Sequence, residues 1–156
     1  MVDILTPEAR SRRMSLIKGR DTAPELAVRR ALHRAGLRYR LHVADLPGKP
    51  DLVFPRWGAV VFVHGCFWHS HQGCRISNVP QTNTSFWLSK FAANKRRDER
   101  AARLLRAAGW RVAVVWECQL STKGKISASA RRIERFVRAG RCSDSLGRAV
   151  SVRPSG

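Results

Sequence analysis

Asp51-Leu52-Val53-Phe54-Pro55-Arg56-Trp57-Gly58-Ala59-Val60-Val61-Phe62-Val63 is the stretch on which the fold turns. Two apolar runs flank a Pro/Gly-punctuated turn, so they predict two strands joined tightly as a hairpin. Ala59 to Val63 is apolar at every position, which fits a central strand covered on both faces. Upstream, Leu37 to Val43 alternates apolar and polar residues and predicts a half-buried strand. Before it a helix starts near Pro24 with Thr22 as cap, places Val28, Ala31, Leu32 and Ala35 on one face, and stops at Gly36.

Downstream, a polar loop over residues 64–83 precedes a helix from about Thr84 to Ala108. Its apolar positions are Leu88, Phe91, Ala92, Ala102 and Leu105, and Gly109 ends it. Arg111 to Trp116 predicts a second buried strand. A last helix puts Ile126, Ala130, Ile133 and Val137 on one side. The pattern is α/β: a mixed central sheet flanked by helices, in one domain over residues 1–139. Residues 1–21 form a basic arm or short helix within it, and 140–156 a loose Ser/Gly/Arg-rich tail.

Charge narrows the function. The 156 residues carry 30 Lys plus Arg against 11 Asp plus Glu, a formal net charge of +19. Such an excess draws in polyanions through counterion release and long-range steering. The basic residues spread along the whole chain instead of lining one amphipathic helix, which favours nucleic acid over a membrane surface. No apolar run is long enough to span a bilayer, and the first residues lack a secretory pattern, so a cytoplasmic protein is expected.

Three groups of residues carry chemistry. Cys66, His71 and Cys74 are spaced C-x4-H-x2-C, and Cys118 follows the later strand. Three nitrogen or sulfur donors close in sequence plus one distant donor predict a closed tetrahedral zinc site, since cytosolic Cys/His clusters usually hold metal. Cys142, in the tail, fits that set least. Asp51 opens a strand, where a carboxylate can hold a divalent metal at a sheet edge. His64 and His69 end the partner strand, outside the zinc count, and an imidazole there can take a proton from water near neutral pH. Phe67, Trp68 and Trp87 look exposed, and aromatics on such a loop can wedge between base steps. A non-catalytic zinc-stabilised DNA-binding module would explain the charge, cysteines and aromatics, but it leaves Asp51, His64 and His69 idle. A nuclease of the same fold with another substrate preference also remains open.

These residues resemble the very-short-patch repair (Vsr) mismatch endonucleases. The matching stretches begin with Met14, Asp21 to Glu25 and Leu46 to Asp51. They continue through Val61 to His69, Phe86 to Phe91 with Asn94, Arg97-Asp98, Gly109 to Arg111 and Trp116 to Cys118. The resemblance implies a restriction-endonuclease-like fold and a magnesium-dependent nick beside the thymine of a T·G mismatch, the product of 5-methylcytosine deamination. It implies Asp51 and the Val63 carbonyl as magnesium ligands, His69 as general base, His64 on the phosphate and Glu25 supporting metal-bound water. Cys66, His71, Cys74 and Cys118 would hold zinc.

Met14, Phe67 and Trp68 would intercalate with Trp87 behind them, while Lys90 and Asn94 would reach bases. Double-stranded DNA is the implied partner, the protein acting as a monomer on the bacterial nucleoid, with mismatch-repair proteins as further partners. The E-x-K pair of many nucleases is absent, Phe62-Val63-His64 standing in its place. Val63 replaces a hydroxyl residue of some members, and the His71–Cys74 spacing is one longer than in others.

Overall fold

The computed structural model describes residues 6–16 and 19–140. Helix α1 (Pro7–Ser15) and helix α2 (Ala23–Arg34) come first. They are followed by strand β1 (Leu52–Phe54), strand β2 (Ala59–His64), helix α3 (Thr84–Ala107), strand β3 (Arg111–Trp116) and helix α4 (Lys123–Arg138). The predicted tail, Cys142 included, lies outside the described residues.

Strands β1 and β2 form the expected antiparallel hairpin, pairing Leu52 with Val61 and Phe54 with Ala59. The turn is a single 3-10 turn, Pro55–Trp57, closed by Gly58 at φ 58°, where a side chain would be strained. From β2 the chain crosses through α3 to β3, which runs parallel to β2, giving the order β1-β2-β3 and a mixed sheet.

Both faces of that sheet are covered, which explains why β2 is apolar throughout. Ala59 and Val61 pack with Val28 and Leu32 of α2 and Ile133 and Val137 of α4. Val60 and Phe62, pointing the other way, pack with Val53 and Leu105 of α3. Each fully buried Val or Leu in these two layers contributes roughly 1.5–3 kcal/mol relative to exposure. The turn before Asp51 rests directly on α3: a Cβ on Gly48 would lie 2.6 Å from the Cβ of Ala101, so only glycine fits.

Three expectations are corrected. Leu37 to Val43 does not form a strand; its one ladder contact is the isolated bridge Arg40–Val53. Its partner β1 has only three residues before the Pro55 turn, and His42 adopts φ 54°, a left-handed conformation that ends any extended run. On α3, Leu88 is 52% exposed, whereas Trp87, Phe91, Asn94, Ala101 and Leu105 are buried. The buried stripe is therefore rotated by one residue at the helix start, leaving Leu88 on the rim of a cleft. Thr22 stands at the N-cap of α2 but makes no side-chain cap; its hydroxyl donates to Glu25 Oε1 at 3.1 Å.

Candidate active site and metal centre

The parallel register sets the site. His64 at the end of β2 stands opposite Trp116 at the end of β3. Two residues beyond each strand end lie Cys66 and Cys118, so the two cysteines meet across the sheet's carboxyl edge. Cys118 N–H donates to Cys66 Sγ at 3.4 Å. The tight turns after Cys66 return His71 to the same point, its Nδ1 lying 3.6 Å from Cys66 Sγ and 3.5 Å from Cys118 Sγ. Cys74 completes a group whose four ligand atoms all lie within 4.8 Å of one another.

Tetrahedral bonds of zinc's length to nitrogen and sulfur would set an N–S edge of about 3.6 Å, so this donor set fits one closed metal ion. Burial pushes the Cys66 thiol up to about 12, while the backbone N–H of Ile76 draws the Cys74 thiol down. A metal taken up here must displace protons.

Beside this cluster opens a cleft of 1220 Å³. That exceeds a typical small-molecule pocket and suits a macromolecular substrate. Glu25, Asp51, Val63, His64 and His69 all line it. Asp51 Oδ2 accepts the Val63 N–H at 2.6 Å, tying the two hairpin strands together at the cleft floor. Burial raises the Asp51 carboxyl to about 6; the Glu25 charge adds to this, and the Val63 N–H and Arg29 oppose it.

His64 and His69 stack face to face, ring centroids 3.9 Å apart and 3° from parallel. Burial and the neighbouring His69 push His64 down to about 4, so it is neutral at physiological pH. His69 Nδ1 meets Asp98 Oδ2 at 2.5 Å. A carboxylate can only accept, so that nitrogen carries a proton, and in the neutral ring Nε2 keeps the lone pair. His64, His69 and Asp98 also lie close enough to be considered a metal group. Two ligands sharing one tetrahedral ion would stand about 3.3 Å apart, however, and 2.5 Å is hydrogen-bond spacing.

The aromatic residues form a wall beside the histidines. Phe67 packs edge-on against Trp68, Trp87 and Phe91, with centroids 5.1–5.3 Å away. Lys90 Nζ hangs over Trp68 at 5.4 Å, Phe86 at 5.8 Å and Trp87 at 5.9 Å. Phe67 and Trp68 are half-buried and Trp87 buried, so Trp87 backs the wall. Asn94 does not face outward: it is buried, its amide donates to the Trp68 carbonyl at 2.8 Å, and its carbonyl accepts from Arg97. In this state it anchors the wall. Met14 stands on α1, but its side chain lies outside the described residues.

Three residues of this region were not given a role from sequence. Asp98 lies 29 positions from His69, inside the charged run Lys95 to Arg100, which by sequence fits a helix face turned to solvent or to DNA. Trp116 stacks on His71 at 4.1 Å and 3° while presenting its edge to His64 at 5.3 Å, which links the metal cluster to the cleft. Arg29 bonds Glu25. The E-L-A-V-R spacing places Glu25 and Arg29 one helical turn apart and was the only local signal available.

A half-buried carboxylate and a carboxylate-held imidazole lining one basic cleft, with an aromatic cluster next in sequence to that imidazole, are the equipment of a nucleic-acid hydrolase. Residues 2–75 match the family model described as DNA mismatch endonuclease Vsr. Over 133 residues the chain is 51% identical to the type II nicking enzyme V.XorIIP of Xanthomonas oryzae, covering 85% of this chain and 97% of that protein. It is 42% identical over 139 residues to the DNA mismatch endonuclease Vsr of Escherichia coli, covering 88% of each. To the type II nicking enzyme V.NmeAIP of Neisseria meningitidis it is 41% identical over 138 residues, 88% of this chain and 96% of the other. The chain belongs to the Vsr DNA mismatch endonuclease family. Among the described residues no helix is long and apolar enough to cross a membrane.

Proposed function

We propose that this protein nicks duplex DNA beside the thymine of a T·G mismatch, with His69 as the general base. The supporting observation is the 2.5 Å bond from His69 Nδ1 to Asp98, which fixes the imidazole tautomer with Nε2 able to accept a proton from water. Asp51 and the Val63 carbonyl would hold a magnesium ion, and bound there it would supply charge neutralisation at the phosphate and a more acidic water. Glu25, which lines the same cleft as Asp51, orients water at that position. His64, neutral and buried, donates a hydrogen bond to a phosphate oxygen instead of adding charge. It also holds the His69 ring by stacking.

Phe67 and Trp68, backed by Trp87, enter the base stack beside the mismatch together with Met14. Pairing is already weak there, so opening the step costs least. Lys90 meets a base edge or phosphate after leaving the aromatic wall. Asn94 reaches a base only by giving up the Trp68 carbonyl; otherwise it positions the wedge. Cys66, His71, Cys74 and Cys118 hold zinc, which staples β2 to β3 beyond their ends. The mixed sheet is read as the centre of a restriction-endonuclease-like fold in a single domain over residues 1–139. The protein acts as a cytoplasmic monomer on the nucleoid, with mismatch-repair proteins as partners.

The test is strand nicking of a T·G duplex with magnesium. His69→Ala is expected to abolish nicking while mismatch binding persists, and Asp51→Ala to abolish the magnesium-dependent activity. Either variant cutting at the native rate overturns the assignment. Binding without any cutting by the native chain would leave a zinc-stabilised DNA-binding module instead.

A further inference from the structure

Most of this chain's cations sit in water, where nucleic acid can reach them. Arg29 does not: at 6% exposure it is the only buried Lys or Arg among the described residues. A buried guanidinium is costly unless paired, and its Nε has no hydrogen-bond partner, so strong bonds elsewhere must hold it. Its Nη2 donates to Glu25 Oε2 at 2.9 Å and its Nη1 to Asp21 Oδ1 at 2.5 Å.

Those bonds converge on Glu25. Glu25 Oε2 also accepts the Asp21 N–H at 3.0 Å, and Oε1 accepts the Thr22 hydroxyl at 3.1 Å. Three of the roughly four acceptor positions of the carboxylate are thereby filled, and its rotamer is fixed. To donate its N–H, Asp21 stands at φ 53°, a strained conformation for a residue with a side chain. Tyr39 adds a further clamp, its hydroxyl donating to the Arg29 carbonyl at 2.8 Å. Glu25 lines the same cleft as Asp51, close enough for its charge to act on the Asp51 carboxyl.

We propose that Arg29 is a positioning residue for the nicking reaction: through Asp21 and Glu25 it presets the acidic pair, Glu25 with Asp51, that a divalent cation meets. The inference rests on the metal-dependent nicking proposed above. It makes a claim about sign. By charge alone, removing a cation from beside two carboxylates should tighten a divalent ion. By positioning, it should weaken the ion, because Glu25 loses its fixed orientation; outer partners of ligating groups typically affect metal affinity about 10–100-fold.

The experiment uses the full chain bound to the nicked product duplex, where no turnover intervenes, and reads Mn2+ binding from the free-ion electron paramagnetic resonance signal. Arg29→Met is expected to weaken Mn2+ about tenfold. The magnesium half-saturation of single-turnover nicking should rise in parallel, and duplex affinity should stay within about twofold, since Arg29 is buried away from phosphates. Arg29→Lys, which keeps the charge but not the fork, should recover part of the loss. In a Glu25→Gln background the Arg29 change should have little further effect on Mn2+.

Unchanged or tighter Mn2+ binding in Arg29→Met, or losses that simply add to those of Glu25→Gln, would overturn the proposal and leave a structural ion pair. If Arg29→Met does not fold, Arg29→Lys decides on the same readouts. A native chain that binds Mn2+ but never nicks a T·G duplex would refute the proposed function, while the Mn2+ comparison would still judge Arg29.

Discussion

Replacing Asp98 by Asn tests the tautomer argument directly. Asn is nearly the same shape, so packing on α3 is preserved, but two things change. A hydrogen bond to a charged group contributes about 1.5–3 kcal/mol, against about 0.5–1.5 kcal/mol for a neutral one, and a loss of about 1.4 kcal/mol is tenfold in rate. The side chains of His69 and Asp98 are 26% and 30% exposed, so solvent trims the electrostatic part. The carboxamide can also turn its NH2 toward His69 Nδ1. The ring proton must then move to Nε2, and the imidazole cannot act as base.

Asp98→Asn should therefore slow nicking roughly 10–100-fold. Asp98→Ala, which frees the ring without imposing the wrong tautomer, should cost about tenfold. The assay is single-turnover nicking of a T·G duplex at saturating protein and magnesium, with duplex affinity measured separately and expected to be unchanged. Asn cutting within about twofold of native, or Ala cutting more slowly than Asn, would mean that Asp98 does not set the His69 tautomer.

Two further predictions concern the metals. The Asp51 carboxyl is raised from 3.8 to about 6, so the folded state binds that proton more tightly than the unfolded chain. This group's contribution to stability is therefore lost as the pH rises between those values. Asp51→Asn should melt higher than native above about pH 6 without magnesium, and close to native below about pH 4. Because the cation competes with the proton, native nicking at low magnesium should fall as the pH drops through about 6, and that inflection should move lower as magnesium is raised. Second, Cys118→Ser should bind about one metal equivalent less by elemental analysis and lower the melting temperature. Nicking should fall with it, since His71 supports Trp116 and Trp116 the histidines. Full activity without the metal would break that link.

Much of the scaffold was legible because its signals are local. The hairpin, the doubly covered β2 and the length of α3 follow from apolar runs and Pro/Gly stops. Cys66, His71 and Cys74 could be grouped from spacing alone. What failed depended on distance. The alternation from Leu37 to Val43 is real, yet a strand needs a partner, and β1 is too short to supply one. Leu88 fits the helical period but overhangs the cleft, while polar Asn94 turns inward because the Trp68 carbonyl needs a donor. Asp98 and Arg29 are single charges in a chain full of them. Only the fold shows which charges have partners waiting.

The two anchors that α3 offers the loop have a consequence for how this protein can vary. Asn94 holds Trp68 and Asp98 holds His69, so neighbouring loop residues are pinned four positions apart on one helix. At 3.6 residues per turn, one residue inserted between those anchors would swing the second by about 100° and shift it by about 1.5 Å. Helix α3 thus works as a ruler graduated to a single residue: insertions before Thr84 leave its spacing intact, and one between Asn94 and Asp98 puts wedge and base out of step.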